Sequence, residues 1–164
     1  MPKEAERRAG VTVRFAKAED DARSMLELGR EAFHATRMSA HPFDEGRTTA
    51  LIRKGMAGGA AVLLIARRGN EDVGFVAGQI GPALFSAART ATVVAFYIRP
   101  SVLNGQAAVK LIHAFRNWAQ AAGADEVQVH VTSGIRMAET DSFMRRIGFR
   151  QTGGNYVQDV SAAD

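Results

Sequence analysis

Residues 93–124, VVAFYIRPSVLNGQAAVKLIHAFRNWAQAAGA, constrain the fold of this chain more than any other stretch. They read as a buried strand, a short loop of small and polar residues, and a strongly amphipathic helix. Ala108, Leu111, Ile112, Phe115, Trp118, Ala119 and Ala122 recur at steps of three and four and so form one apolar stripe. Lys110, His113, Arg116 and Asn117 fall off that stripe, and Gly123 stands where a left-handed residue ends a helix. A stripe of this kind packs a core. The loop 101–106 is different: it holds no acidic residue and opens a helix N-terminus. Unpaired N–H groups and the positive end of the helix dipole make such a terminus a place to hold a phosphate.

Around this block the chain alternates. Residues 11–15 make a short strand with Val13 and Phe15 on one face. Asp20 or Asp21 then caps a helix to about Ala35, with Ala22, Met25, Leu26, Ala32 and Phe33 inward. Residues 37–44 form a loop. Asp44 or Thr48 opens a second helix, with Leu51, Ile52 and Met56 apolar, ending at Gly58-Gly59. Residues 60–67 and 72–80 are a strand pair joined by a turn at Gly69-Asn70. Residues 90–98 are β-branched and aromatic almost throughout, as in a strand buried on both faces. Beyond the long helix, residues 126–131 alternate apolar and polar, and 140–147 form a short helix ending at Gly148. Residues 149–151 and 156–160 are strand candidates joined by Gly153-Gly154-Asn155.

Three consecutive strands imply an antiparallel meander, and the strand–helix–strand unit around the long helix implies one parallel pair. The fold class is therefore α/β of the α+β type: a mixed, mostly antiparallel sheet flanked by helices on both faces. With 164 residues and no repeat or linker, residues 1–164 form a single domain, with 1–10 and 161–164 as flexible tails.

Composition narrows the function classes. A hydrophobic fraction of 46% and a charged fraction of 23% suit a soluble globular protein. The net charge of +4 is a mild excess that fits an anionic ligand; nucleic acid is not the expected partner. No cysteine is present, so disulfides, thiolate metal sites and a cysteine nucleophile are excluded. Four scattered histidines give no metal site. The charged start lacks the apolar core of a secretory signal, and the apolar run 60–66 is far short of the ~20 residues that span a bilayer. A cytoplasmic protein that does not enter membranes is the expectation. Motifs for nucleotide-binding loops, zinc proteases and serine hydrolases are absent.

The element order resembles the GNAT superfamily of N-acetyltransferases. So do the strand ending in Ile98-Arg99-Pro100, the Lys110-Leu111-Ile112 and Trp118-Ala119 register, and Phe143 with Gly148-Phe149. The likeness runs from Val11 to about Val160. It implies a split between two central parallel strands, residues 90–98 and 126–131, that takes the pantetheine arm of acetyl-CoA. Backbone groups of Phe96, Tyr97 and Ile98 would bond the arm like an added strand, with Phe143 also at the cofactor. The pyrophosphate would rest on Leu103, Asn104, Gly105, Gln106, Ala107 and Ala108. The N–H near Ile98 would steady the oxyanion, a role worth about 3 kcal/mol in comparable sites. A small-molecule or peptide amine would enter beside the loop 37–44.

Several positions depart from the family pattern. Where the loop usually carries a basic or amide residue and two small ones, this chain has Leu103, Gln106 and Ala108. Met144 stands where many relatives place a tyrosine acid, and Thr92 where many place a glutamate base. His130, on the more polar face of its strand, and Tyr97, at the split, are the substitute proton carriers. His34, His41, Asp44 and Glu45 bracket the acceptor entrance, and His113 lies on the outer face of its helix. The resulting expectation is an acetyl-CoA-dependent N-acetyltransferase, without a metal and compatible with a homodimer. The alternative is a catalytically silent module of the same fold that binds CoA weakly, or binds a nucleic-acid or protein partner.

Overall fold

The computed structural model describes residues 10–102 and 105–160. Five strands form one sheet in sequence order: β1 (Val11–Phe15), β2 (Ala61–Arg68), β3 (Glu71–Pro82), β4 (Arg89–Ile98) and β5 (Glu126–Val129). The first three pairings are antiparallel and β4–β5 is parallel. The four α-helices are α1 (Glu19–His34), α2 (Glu45–Met56), α3 (Gln106–Ala121) and α4 (Met137–Arg146). Short 3-10 turns occupy Arg37–Ala40 and Pro100–Val102.

Alternation along the strands builds two cores. Val62, Leu64 and Ala66 point to the α3 side, where they meet Leu111, Ile112, Phe115 and Ala119 of the predicted stripe. Leu63, Ile65 and Phe75 point the other way, against Met25, Leu28 and Ile52 of α1 and α2. Helices therefore cover both faces, as the sequence implies. Gly78 makes the first core possible: a Cβ there would stand 2.2 Å from Cε2 of Phe115, so the ring lies directly on the strand backbone.

Helix ends follow local chemistry. Asp21 is not the residue that begins α1; Ala18 is, and Asp21 reaches back so that its Oδ2 accepts the N–H groups of Lys17 (2.8 Å) and Ala18 (2.9 Å). Asp44 does cap α2, with Oδ1 accepting from Arg47 N at 2.8 Å. The turns at Gly69 and Gly123 adopt the left-handed backbone expected of them.

Four expectations are corrected. Leu51 is exposed, and Leu28, not singled out in advance, is buried. Strand β5 stops at Val129, two residues early. Helix α4 begins three residues early, after Arg136 in a left-handed conformation (φ 47°). The strand candidates 149–151 and 156–160 do not form, and Tyr156 and Val160 are more than nine-tenths exposed. The parallel pair consequently lies at one edge of the sheet. Among the described residues no helix is long and apolar enough to cross a membrane.

A partly buried ionic knot joins β1, α1, β2 and β3. Arg14 reaches Asp21 at 2.6 Å and Asp72 at 3.1 Å, and Arg67 reaches Asp72 at 2.8 Å. Burial pushes the Asp72 carboxyl up, but Arg67, Ser24 and Arg14 together outweigh it and leave the group below its ordinary 3.8. Asp21 is likewise net lowered: burial raises it, and the Lys17 and Ala18 N–H groups and Arg14 pull it down further. Stability from both is complete above the ordinary carboxylate value and drains as pH falls through the lower folded values. Acid titration of unfolding should thus show a plateau down to about pH 4 and a loss below it, shallower in Asp72→Asn. Gly78→Ala should cost about 1–3 kcal/mol in urea denaturation, because Phe115 must leave its seat.

Candidate active site

The site is generated by a strand that loses its partner. β4 and β5 pair in register from Thr90 opposite Glu126 to Val93 opposite Val129, and there the pairing ends. At the same point β4 has a bulge: Val93 faces Gly78 and Ala95 faces Ala77, which leaves Val94 without a partner on β3. A bulge bends its strand and sharpens the twist. Beyond it β4 continues beside β3 to Ile98, while its other side has no strand partner among the described residues. The gap opens where the sequence places Phe96, Tyr97 and Ile98. Phe96 and Ile98 turn their side chains to the α3-side core and Tyr97 turns to the α1 side.

The chain leaves β4 through the Pro100–Val102 turn and enters α3 with Gly105 as N-cap (φ 79°). A Cβ on Gly105 would meet nothing within 4 Å, so the space in front of the helix end is open. Val109 N donates to Gly105 O at 3.0 Å. Gln106, Ala107 and Ala108 form the first turn of the helix, which has no acidic residue. The positive end of its dipole suits a phosphate group. Leu103 and Asn104 lie outside the described residues.

A cationic hub fixes the end of β4. Arg99 N bonds Val73 O at 2.8 Å. Its guanidinium reaches Glu31 (2.6 Å), Glu27 (3.0 Å), Glu71 (2.7 Å) and the carbonyl of Asp72 (3.0 Å). Arg99 is thereby held as a cation, its pKa raised chiefly by Glu31. Arg99 in turn holds Glu31 below its ordinary value. The Tyr97 hydroxyl donates to Glu31 Oε2 at 3.4 Å; burial and then the Glu31 charge push its pKa up, which keeps it protonated. Sequence reasoning missed this hub. Its traces were Glu27 and Glu31 one turn apart on α1 and a cation directly after a buried strand.

On the other side of the pairing end the chain runs on beyond β5. His130 is exposed immediately past Val129. The turn after α1 crosses to this segment: Arg37 N bonds Ser133 O at 3.1 Å and Arg37 Nε bonds Thr132 O at 3.0 Å. Arg37, at the start of the loop 37–44, is thereby tied to the segment beyond β5. Phe143 packs partly buried against the α3-side core, and Met144 is buried on α4. Thr92 lies in the paired part of β4, opposite Gln128. His113 lines a separate surface hollow with Arg116, Gln120 and Glu126, remote from the gap end of β4. Among the described residues no group of three or more His, Cys, Asp or Glu is arranged to hold a metal ion.

A family profile described as an acetyltransferase (GNAT) domain matches residues 2–96. The chain belongs to the GNAT acetyltransferase family. Solved structures agree in fold. The aminoglycoside N-acetyltransferase AAC(6')-Iy, in complex with a CoA-based bisubstrate analogue, superimposes with a TM-score of 0.77 at 15% identity, covering 94% of this chain and 100% of that one. An aminoglycoside 6'-N-acetyltransferase from Acinetobacter haemolyticus gives 0.71 at 16% identity, over 93% and 99%. A ribosomal-protein-alanine N-acetyltransferase from Brucella melitensis gives 0.69 at 19% identity, over 92% and 99%. A comparison with curated protein sequences gives no match.

If Arg99 clamps β4 to α1 and β3, Arg99→Met should leave Glu27, Glu31 and Glu71 crowded without a cation. The expected cost is about 2 kcal/mol in urea denaturation, moderated by the exposure of Glu27 and Glu71. Glu31→Gln should cost less, since a neutral amide still accepts from Arg99 and Tyr97.

Proposed function

We propose that this protein is an acetyl-CoA-dependent N-acetyltransferase. The observation that carries the reading is the end of β4–β5 pairing at Val93 and Val129, directly followed by unpartnered β4 backbone and an acid-free helix end. An extended thioester arm laid along β4 would use that backbone as a strand uses its neighbour. Its pyrophosphate would meet the α3 N-terminus at Gly105, Gln106, Ala107 and Ala108. Leu103 and Asn104 complete the proposed loop. Membership of the GNAT family supports the same donor.

In the reaction the amine nitrogen forms a bond to the acetyl carbon as the carbon–sulfur bond breaks. The ammonium proton is lost before attack; after attack the nitrogen loses a second proton and the departing thiolate takes one up, so CoA leaves as the thiol. The N–H near Ile98 is assigned to the oxyanion. His130 is assigned as the proton acceptor, being exposed just past the end of β5. Tyr97 is assigned to binding and alignment more than to proton transfer, because its hydroxyl is committed to Glu31. Phe143 is assigned to packing beside the arm.

A catalytically silent module is the second reading. It is favoured by Met144, a buried thioether where many relatives have a phenol. Calorimetric titration with acetyl-CoA tests the first part of the proposal. Binding is expected for the parent chain and its loss for Gly105→Pro, since proline holds φ near −65° and Gly105 needs +79°. Unchanged binding in a folded Gly105→Pro would remove the phosphate assignment. Acetyl-CoA binding without transfer to any amine would favour the silent module.

A further inference from the structure

One carboxylate ties both neighbours of Ile98. Glu31, on α1, accepts from Arg99 Nε at 3.0 Å, from Arg99 Nη2 at 2.6 Å and from the Tyr97 hydroxyl at 3.4 Å. Side chains alternate along a strand, so residues 97 and 99 share the α1 side while Ile98 packs into the α3-side core. Glu27 and Glu71 also reach Arg99, at 3.0 and 2.7 Å. The single phenolic proton of Tyr97, however, goes to Glu31. Arg99 holds the Glu31 carboxyl below its ordinary value, so it stays ionised and accepts from both.

The backbone of the same three residues alternates as well. Arg99 N bonds Val73 O at 2.8 Å, one step beyond the pairing of Ile98 with Gly74. Arg99 therefore stands in a hydrogen-bonded pair with its neighbour strand, and Ile98 in a non-hydrogen-bonded one. The N–H of Ile98 points away from β3, to the edge of β4 that no strand covers among the described residues. Its direction is set by the residues on each side of it, and both are tied to Glu31.

Resting on the acetyltransferase reading, we propose that Glu31 is a positioning residue for the transfer: by tying Tyr97 and Arg99 it aims the Ile98 N–H at the thioester carbonyl. Glu31 itself touches neither acetyl-CoA nor the amine. A hydrogen-bond donor stabilises developing charge best when its direction is fixed beforehand. The open edge of β4 has no neighbouring strand to fix it, so the hold comes from the α1 side. Loss of the tie falls on the carbonyl contact and spares the rest of the arm, which lies along other residues.

The test compares acetyl-CoA with S-ethyl-CoA, a thioether that lacks the carbonyl, by calorimetry. The parent chain should bind acetyl-CoA about fivefold more tightly, as one net hydrogen bond gives. Glu31→Ala should bring that ratio close to one while leaving the affinity for S-ethyl-CoA unchanged. Glu31→Gln should keep most of the ratio, because an amide oxygen still accepts from Arg99. Tyr97→Phe keeps the ring, removes one tie and should give an intermediate ratio; it carries the test if Glu31→Ala does not fold. A ratio of one in the parent would overturn the proposal. So would an unchanged ratio in folded Glu31→Ala or, if that variant does not fold, in Tyr97→Phe. Equal loss of affinity for both ligands would mark a purely structural role and overturn it too. A parent chain that binds neither ligand would remove the acetyltransferase reading itself, and this proposal with it.

Discussion

Arg99 is the point on which the end of β4 depends. One guanidinium gathers three carboxylates from α1 and β3 and a carbonyl from β3, at the strand end that has lost its β5 partner. A strand open on one side presents unpaired N–H and C=O groups and would otherwise fray. Here the α1 layer and β3 supply what the missing neighbour does not. The arrangement has a chemical consequence. Glu31 and Tyr97 lie close to the gap, yet each is occupied by the other and by Arg99. They stabilise the wall and are poor candidates for moving protons.

The gap also needs close packing behind it. A Cβ on Gly74 would stand 2.5 Å from Cδ1 of Ile98 and 2.6 Å from the Tyr97 carbonyl, so β3 can press against the last residues of β4 only with glycine there. Gly78 does the same for Phe115 of α3. The two glycines flank the bulge at Val94 from the β3 side. One seats the end of β4 and the other seats the helix whose N-terminus follows it. The relation between strand end and helix end is thus set by close contacts that only a residue without a side chain allows.

Much of this was legible in the sequence because it rests on short-range rules. The stripe Leu111, Ile112, Phe115 and Ala119 has a helical period and is fully buried. The turns at Gly69 and Gly123 need a left-handed backbone and have it. The family resemblance located the gap through Ile98-Arg99-Pro100. What was not legible depends on partners far along the chain. Residues 156–160 carry strand-forming side chains, but a strand exists only where a neighbour accepts its hydrogen bonds, and the pattern cannot name one. The Arg99 hub joins residues up to 72 positions apart. The bond from Arg37 to Thr132 spans 95. Helix α4 starts after an arginine with positive φ, where no capping signal marks the place.

These two kinds of information divide the candidate site. The proposed donor side rests on β4 backbone and a helix end, where side-chain identity matters little. The proposed acceptor side would be built from loop side chains held by long-range bonds, where side-chain identity decides what is recognised. Backbone donors recognise what a thioester arm and a pyrophosphate have in any relative. Arg37 and the 132–134 segment it holds belong to this chain's own loops, and loops carry specificity on a rigid frame. Fold likeness at 15–19% identity bears on the frame alone. What the loops recognise depends on their own side chains.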